Sequence, residues 1–140
     1  MSIPDDAALL AAAKNAMQRA YAKYSGFQVG AALLTVRGGL FVGCNVENMS
    51  SPLGICAERN AIAAAVAAEG PAMRVARLAV AAQSQGTPRP CTPCGACRQV
   101  ILEFGGDATV LYLGDDLALV RTAARELLPQ AFAYDPPTRH

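Results

Sequence analysis

Residues 91–100 read CTPCGACRQV, with three cysteines at intervals of three, and residues 54–65 read GICAERNAIAAA, with Cys56 two residues before Glu58. Each stretch starts a helix with cysteine. A helix start carries unpaired amide groups and a partial positive charge, so it stabilises thiolate, the form of cysteine that binds metal. Cys94 and Cys97 stand at i and i+3 and face the same way from one helical turn. If Cys56 joins them, two helix starts point at one ion. The strand and loop between the two stretches leave room for a crossover that returns to the same edge of a sheet.

On the N-terminal side, residues 5–24 predict a helix. Pro4 and two aspartates stand at its start, and Leu9, Leu10, Ala13, Met17 and Ala20 recur at helical spacing. FQVGAALLTV and GLFVGCNVE are β-rich runs joined at Arg37-Gly38-Gly39, a hairpin signal. SSPLG reads as loop, and residues 56–69 as a helix stopped by Gly70-Pro71. Next come a strand (VARLAVAAQ), a long turn (SQGTPRP) and a helix over 94–104 stopped by Gly105-Gly106. ATVLYLG predicts another strand, LALVR a short fifth, and residues 122–128 a brief helix before Pro129. The tail, AYDPPTRH, reads as loosely ordered. The order implies an α/β fold: a mixed sheet of about five strands, an antiparallel hairpin joined to parallel neighbours, with helices on both faces. We expect one domain over residues 1–140, without repeats or a linker.

Composition narrows the function. Hydrophobic residues make up 53% of the chain and charged residues 16%, which predicts surplus apolar surface for a subunit interface. The net charge is +1 and no basic run stands out, which argues against a nucleic-acid partner and for a small, roughly neutral substrate. The N-terminus lacks the pattern of a secretory signal, and no segment reaches the roughly 20 apolar residues of a membrane span. A cytoplasmic location follows as the default. There, five cysteines are more readily ligands or thiols than disulfides.

A structural zinc site closes with four protein ligands, whereas a catalytic one keeps three plus a position for water. Cys56, Cys94 and Cys97 make the open version. Three thiolates outweigh a dication, so the site needs positive charge nearby. Arg59, three residues after Cys56, is placed to meet a thiolate, and Arg98 is a second candidate. Glu58, on the first turn, can reach over the open position and move protons between water and substrate. Alone, it would be an ordinary acid at a helix start. The arrangement C-x-E followed by P-C-x-x-C is a signature of zinc deaminases acting on cytosine or adenine, and here it reads CAE from Cys56 and PCGAC from Pro93. Two rivals remain: a closed four-cysteine module that adds Cys91, and a dithiol redox centre, which leaves Cys56 and Glu58 unexplained. Cys44 reads as core, and the sole histidine, His140, is the last residue.

YSGFQVGAALL, GCNVEN, GICAERNAI, PCGACRQVILEF and ELLPQAF together resemble the small homotetrameric zinc-dependent cytidine deaminases, from about Tyr24 to Phe132. The resemblance implies the three-layer α/β/α fold of that family and one Zn²⁺ per subunit on Cys56, Cys94 and Cys97. It implies Glu58 as proton shuttle and Arg59 against the thiolate charge. Asn45 and Glu47 would bind sugar hydroxyls, Phe27 would line the base pocket, and the backbone at Ala57 would meet the pyrimidine's polar edge. Phe132 would reach into a neighbouring subunit's site of a homotetramer. The implied reaction is hydrolytic deamination of cytidine and 2′-deoxycytidine, a step of pyrimidine salvage, with hydroxide on the zinc attacking C4. Ser51 departs from the pattern, since family members commonly carry an aromatic there. The related blasticidin S deaminases share the zinc motif, but Asn45, Glu47 and ELLPQAF favour a plain nucleoside.

Overall fold

A computed structural model describes residues 2–134. Asp5 caps the first helix, α1 (Asp6–Met17), its carboxylate accepting from the Ala8 amide at 2.8 Å. The helix is shorter than the 5–24 pattern predicts. Past Met17 the backbone finds tertiary partners: the Tyr21 amide donates to the Asn45 carbonyl (3.0 Å), and the Glu47 amide donates to the Tyr21 carbonyl (2.8 Å). Pairing with a distant segment satisfies these groups in place of further helical turns.

The sheet contains β1 (Phe27–Thr35), β2 (Leu40–Cys44), β3 (Val75–Ser84), β4 (Thr87–Arg89), β5 (Thr109–Leu113) and β6 (Leu119–Ala123). Its order is β2-β1-β3-β5-β6, with β4 paired to the end of β3. The mixed α/β architecture is as expected, with six strands among the described residues instead of about five. β4 lies in the stretch read as a turn. Gln85 and Gly86, both at positive φ, fold the chain back so that Ser84 pairs with Thr87. A three-residue edge strand carrying Pro88 leaves almost no pattern to read.

Only β3 and β5 are adjacent and parallel among the described strands; β1 runs antiparallel to both β2 and β3. The crossover through α2 (Ala57–Glu69) therefore passes over β1, whereas the one through α3 (Gly95–Phe104) joins neighbours. The closing helix, α4 (Ala124–Leu127), spans less than the predicted 122–128, because β6 continues through Ala123.

Alternation along the central strands sorts two apolar layers. Val29, Ala31, Leu33, Leu78, Val80 and Val110 face α2 and α3, with Ala61, Ile62, Ala65 and Ile101. Ala32, Leu34, Ala79, Ala81 and Leu111 face α1, with Leu9, Ala13 and Met17. Two glycines let the helices approach closely. A Cβ at Gly30 would lie 2.0 Å from the Ala13 carbonyl oxygen, and one at Gly43 would lie 2.5 Å from the Ala61 amide. Gly43 thus seats the start of α2 on the end of β2, beside the segment 44–47. The expected tail falls mostly on residues 135–140, and these, His140 among them, lie outside the described residues.

Candidate active site

Cys56 and Cys94 occupy equivalent places as the N-cap residues of α2 and α3, both with extended backbone. Neither side chain makes a capping hydrogen bond, so both sulfurs stay free of the role a cap residue usually fills. Cys97, on the first turn of α3, is fully buried. The three sulfurs lie within 4.8 Å of one another, and Cys56 Sγ and Cys94 Sγ are 3.8 Å apart. A tetrahedral zinc site with Zn–S bonds of about 2.3 Å has sulfur–sulfur edges of about 3.8 Å.

The protonation chemistry of the donors also calls for a cation. Burial pushes the Cys97 thiol well above its ordinary range, and the charge on Glu58 and the adjacent Cys94 and Cys56 sulfurs push it further. Burial also opposes ionisation of Cys94, but hydrogen bonds from the Cys97 amide and from the Cys97 and Cys56 thiols outweigh it and lower its pKa. Buried Cys97 keeps its proton unless positive charge replaces it, and metal binding releases protons from such a donor set. Arg59 supplies part of it: Nη2 donates to Cys56 Sγ at 3.7 Å, and the Cys56 sulfur strengthens the guanidinium's own hold on its proton. Its Nε is buried without an acceptor among the described residues. The donor set fits zinc.

Cys91 stays outside this trio. Burial, then the charges of Glu58, Cys56 and Cys94, push its thiol up to about 12, so it is neutral at physiological pH. It forms part of a cleft wall instead, and the closed four-cysteine reading fails on that geometry. Arg98 is no partner for the thiolates either. Its Nε donates to the Pro93 carbonyl at 2.7 Å and its Nη1 to the Leu127 carbonyl at 2.8 Å.

The cleft has a volume of ≈ 330 Å³. Phe27, Val29 and Asn45 line it from β1 and the end of β2, and Cys56, Ala57, Glu58, Cys91, Thr92 and Cys94 line it from the two helix starts. Glu58 is only 3% exposed. Burial raises its pKa, against the opposing pull of its own backbone amide, Cys97 and Arg59. A carboxyl poised toward neutrality at the edge of such a cleft can both accept and return a proton. Val29 and Thr92 went unnoticed in the sequence. Val29 shares a strand face with Phe27, two residues away, and Thr92 adjoins the P-C-x-x-C motif; both signals were there to read.

β2 ends at Cys44, and Asn45 and Glu47 flank Val46, which pairs with Ile55. The Asn45 side chain binds β1, its Oδ1 accepting from the Val29 amide (2.8 Å) and its Nδ2 donating to the Phe27 carbonyl (2.9 Å). Glu47 opens on a neighbouring cavity of ≈ 440 Å³, shared with Tyr24, Ser25, Met49 and Ser51. Its carboxylate accepts from the Tyr24 and Ser25 amides (2.9 and 3.1 Å) and from the Ser25 hydroxyl. The hydroxyl contact lowers its pKa most, burial opposes it, and the Ser25 and Tyr24 amides lower it further. Cys44 is half-buried, and its carbonyl accepts from Asn60 Nδ2 at 2.8 Å, tying the strand end to α2. Phe132 is 76% exposed and lies over α3, away from the cleft of its own chain.

Residues 3–113 match the family described as the cytidine and deoxycytidylate deaminase zinc-binding region. The chain belongs to that family. Among curated relatives it is 42% identical to a cytidine deaminase of Sporosarcina psychrophila over 131 residues, covering 91% of this chain and 90% of that protein. It is 45% identical to one of Halalkalibacterium halodurans over 130 residues, covering 91% and 93%. A solved cytidine deaminase from Burkholderia pseudomallei superposes with a TM-score of 0.81 at 44% identity, covering 92% of this chain and all of that one. The cytidine deaminase of Mycobacterium tuberculosis gives 0.79 at 36%, covering 94% and 99%.

Proposed function

We propose that this protein is a zinc-dependent hydrolase that deaminates cytidine and 2′-deoxycytidine to uridine and 2′-deoxyuridine, with release of ammonia. The observation that carries the reading is the convergence of three sulfurs, from two helix starts, beside a buried glutamate that lines the same cleft. Cys56, Cys94 and Cys97 hold the metal. Zinc in that position lowers the pKa of a water molecule and so supplies a nucleophile at neutral pH. Glu58 accepts a proton from the attacking water and delivers it to N3 of the base. It then carries the second proton to the exocyclic amino group, which leaves from C4.

Arg59 offsets thiolate charge through Cys56. Phe27 and Val29 line the cleft as an apolar wall for the flat base, and the backbone of Ala57, which lines the same cleft, would meet the pyrimidine's polar edge. Asn45 keeps one N–H and one lone pair beyond its two bonds to β1, enough to meet one sugar hydroxyl. Glu47, held by Ser25 and Tyr24, supplies an acceptor for another. Ser51 leaves the cavity beside Glu47 wider than an aromatic would. The chain forms one domain, works in the cytoplasm in pyrimidine salvage, and assembles as a homotetramer. There Phe132, exposed in the single chain, completes a neighbour's site.

Ammonia release from cytidine, deoxycytidine, adenosine, cytosine and blasticidin S, with zinc analysis of the same preparation, tests the proposal. Turnover of the two cytosine nucleosides at one zinc per chain is expected. Selective turnover of blasticidin S, or a zinc-free active protein, refutes it.

A further inference from the structure

Arg98 follows the last cysteine of the site by one residue, yet its guanidinium points to two carbonyls in different parts of the chain. Nε donates to Pro93, whose carbonyl belongs to the peptide unit leading into Cys94. Nη1 donates to Leu127, the last residue of α4. The next residue, Gln99, donates from Nε2 to the Phe132 carbonyl at 3.2 Å. One turn of α3 thus grips the cysteine loop with one side chain and the C-terminal segment with two. Arg98 is part-buried and pairs with no carboxylate among the described residues, whereas Arg77, Arg121 and Arg125 do. A rigid planar fork can serve two carbonyls at fixed angles; a lysine ammonium on a flexible stem is a single point of donation.

We propose that Arg98 is a positioning residue that couples the metal-holding loop before α3 to the C-terminal segment 124–132. Metal held at Cys94 fixes the peptide plane that Arg98 grips, and Arg98 carries that order to α4. By linkage the effect is reciprocal: docking of the C-terminal segment steadies the metal. Both sides of the coupling are hydrogen-bonded backbone, so neither needs a long-range rearrangement. The inference rests on the zinc reading.

Hydrogen exchange on zinc-loaded and zinc-stripped protein tests it directly. α4 amides are protected by bonds such as Ala124 to the Ala108 carbonyl and Arg125 to the Gly106 carbonyl. In the wild type, stripping zinc should speed exchange across 124–128. In Arg98→Gln that response should vanish, and transfer of zinc to a colorimetric chelator should quicken roughly 10–100-fold, as for other residues that orient metal ligands. Arg98→Lys should release zinc at an intermediate rate, and Arg19→Gln, exposed in the turn after α1, at the wild-type rate. Equal exchange in loaded and stripped wild type overturns the coupling, as does a folded Arg98→Gln with wild-type zinc release. If Arg98→Gln does not fold, the wild-type comparison decides alone. A chain that takes up no zinc removes the zinc reading and the coupling together; zinc uptake without an exchange response removes the coupling only.

Discussion

Glu58 and Glu47 are two acids that the fold sends in opposite directions. Glu58 is buried and its pKa raised, as suits a group that must give its proton back. Glu58→Gln keeps the shape but cannot shuttle protons. It should retain one zinc per chain and lose about 10²–10⁴ in kcat, read by ammonia release and metal analysis. Glu47 is depressed chiefly by the Ser25 hydroxyl. Its folded pKa lies below its unfolded one, so its stabilising effect is present above the unfolded value and fades as pH falls through the folded one. Ser25→Ala should move the Glu47 titration upward, checked by carboxyl-carbon NMR; an unmoved titration would assign the depression elsewhere. Cys91, neutral and outside the trio, should be replaceable: Cys91→Ser should leave zinc stoichiometry unchanged.

Among the elements, α2 depends most visibly on a single position. Gly43 lets its first turns lie against β2, and any side chain there meets the Ala57 carbonyl and the Ala61 amide. Gly43→Ala should cost about 1–3 kcal/mol in denaturant unfolding, typical of overpacking against backbone. Because Cys56 caps that helix, zinc binding should weaken in parallel. The helices themselves were legible: alanine-rich periodicity, a glycine stop and cysteine starts marked α2 and α3 within a residue or two. The pattern over residues 5–24 overextends α1 because Tyr21 and its neighbours keep good helical spacing, and only contact with segment 45–47 ends it. β4 escaped notice because three residues with a proline carry no periodicity.

For the whole molecule, the proposed homotetramer assigns the exposed Phe132 to a neighbouring chain's site. On the proposed homotetramer, Phe132→Ala should cut turnover without loss of zinc. Mixing Phe132→Ala chains with Glu58→Gln chains should then restore activity, since each supplies what its neighbour lacks. Absence of recovery after verified subunit exchange would place Phe132 outside the site.

Residue chemistry that depends on near neighbours could be determined from the chain alone: which cysteines start helices, which acid stands on the same turn, and that the order of elements calls for a mixed sheet between helix layers. Those are local properties, set by spacing of a few residues and by helix-end electrostatics. The family motifs extended that reading to zinc and to a cytosine nucleoside. Tertiary structure alone decided that the α2 crossover skips β1 and that Asn45 and Glu47 open on different cavities. It also decided that Cys91 stands outside the trio of sulfurs, and that Arg98 serves two carbonyls. Each of these turns on which distant backbone groups find one another, and no spacing within a segment encodes that choice.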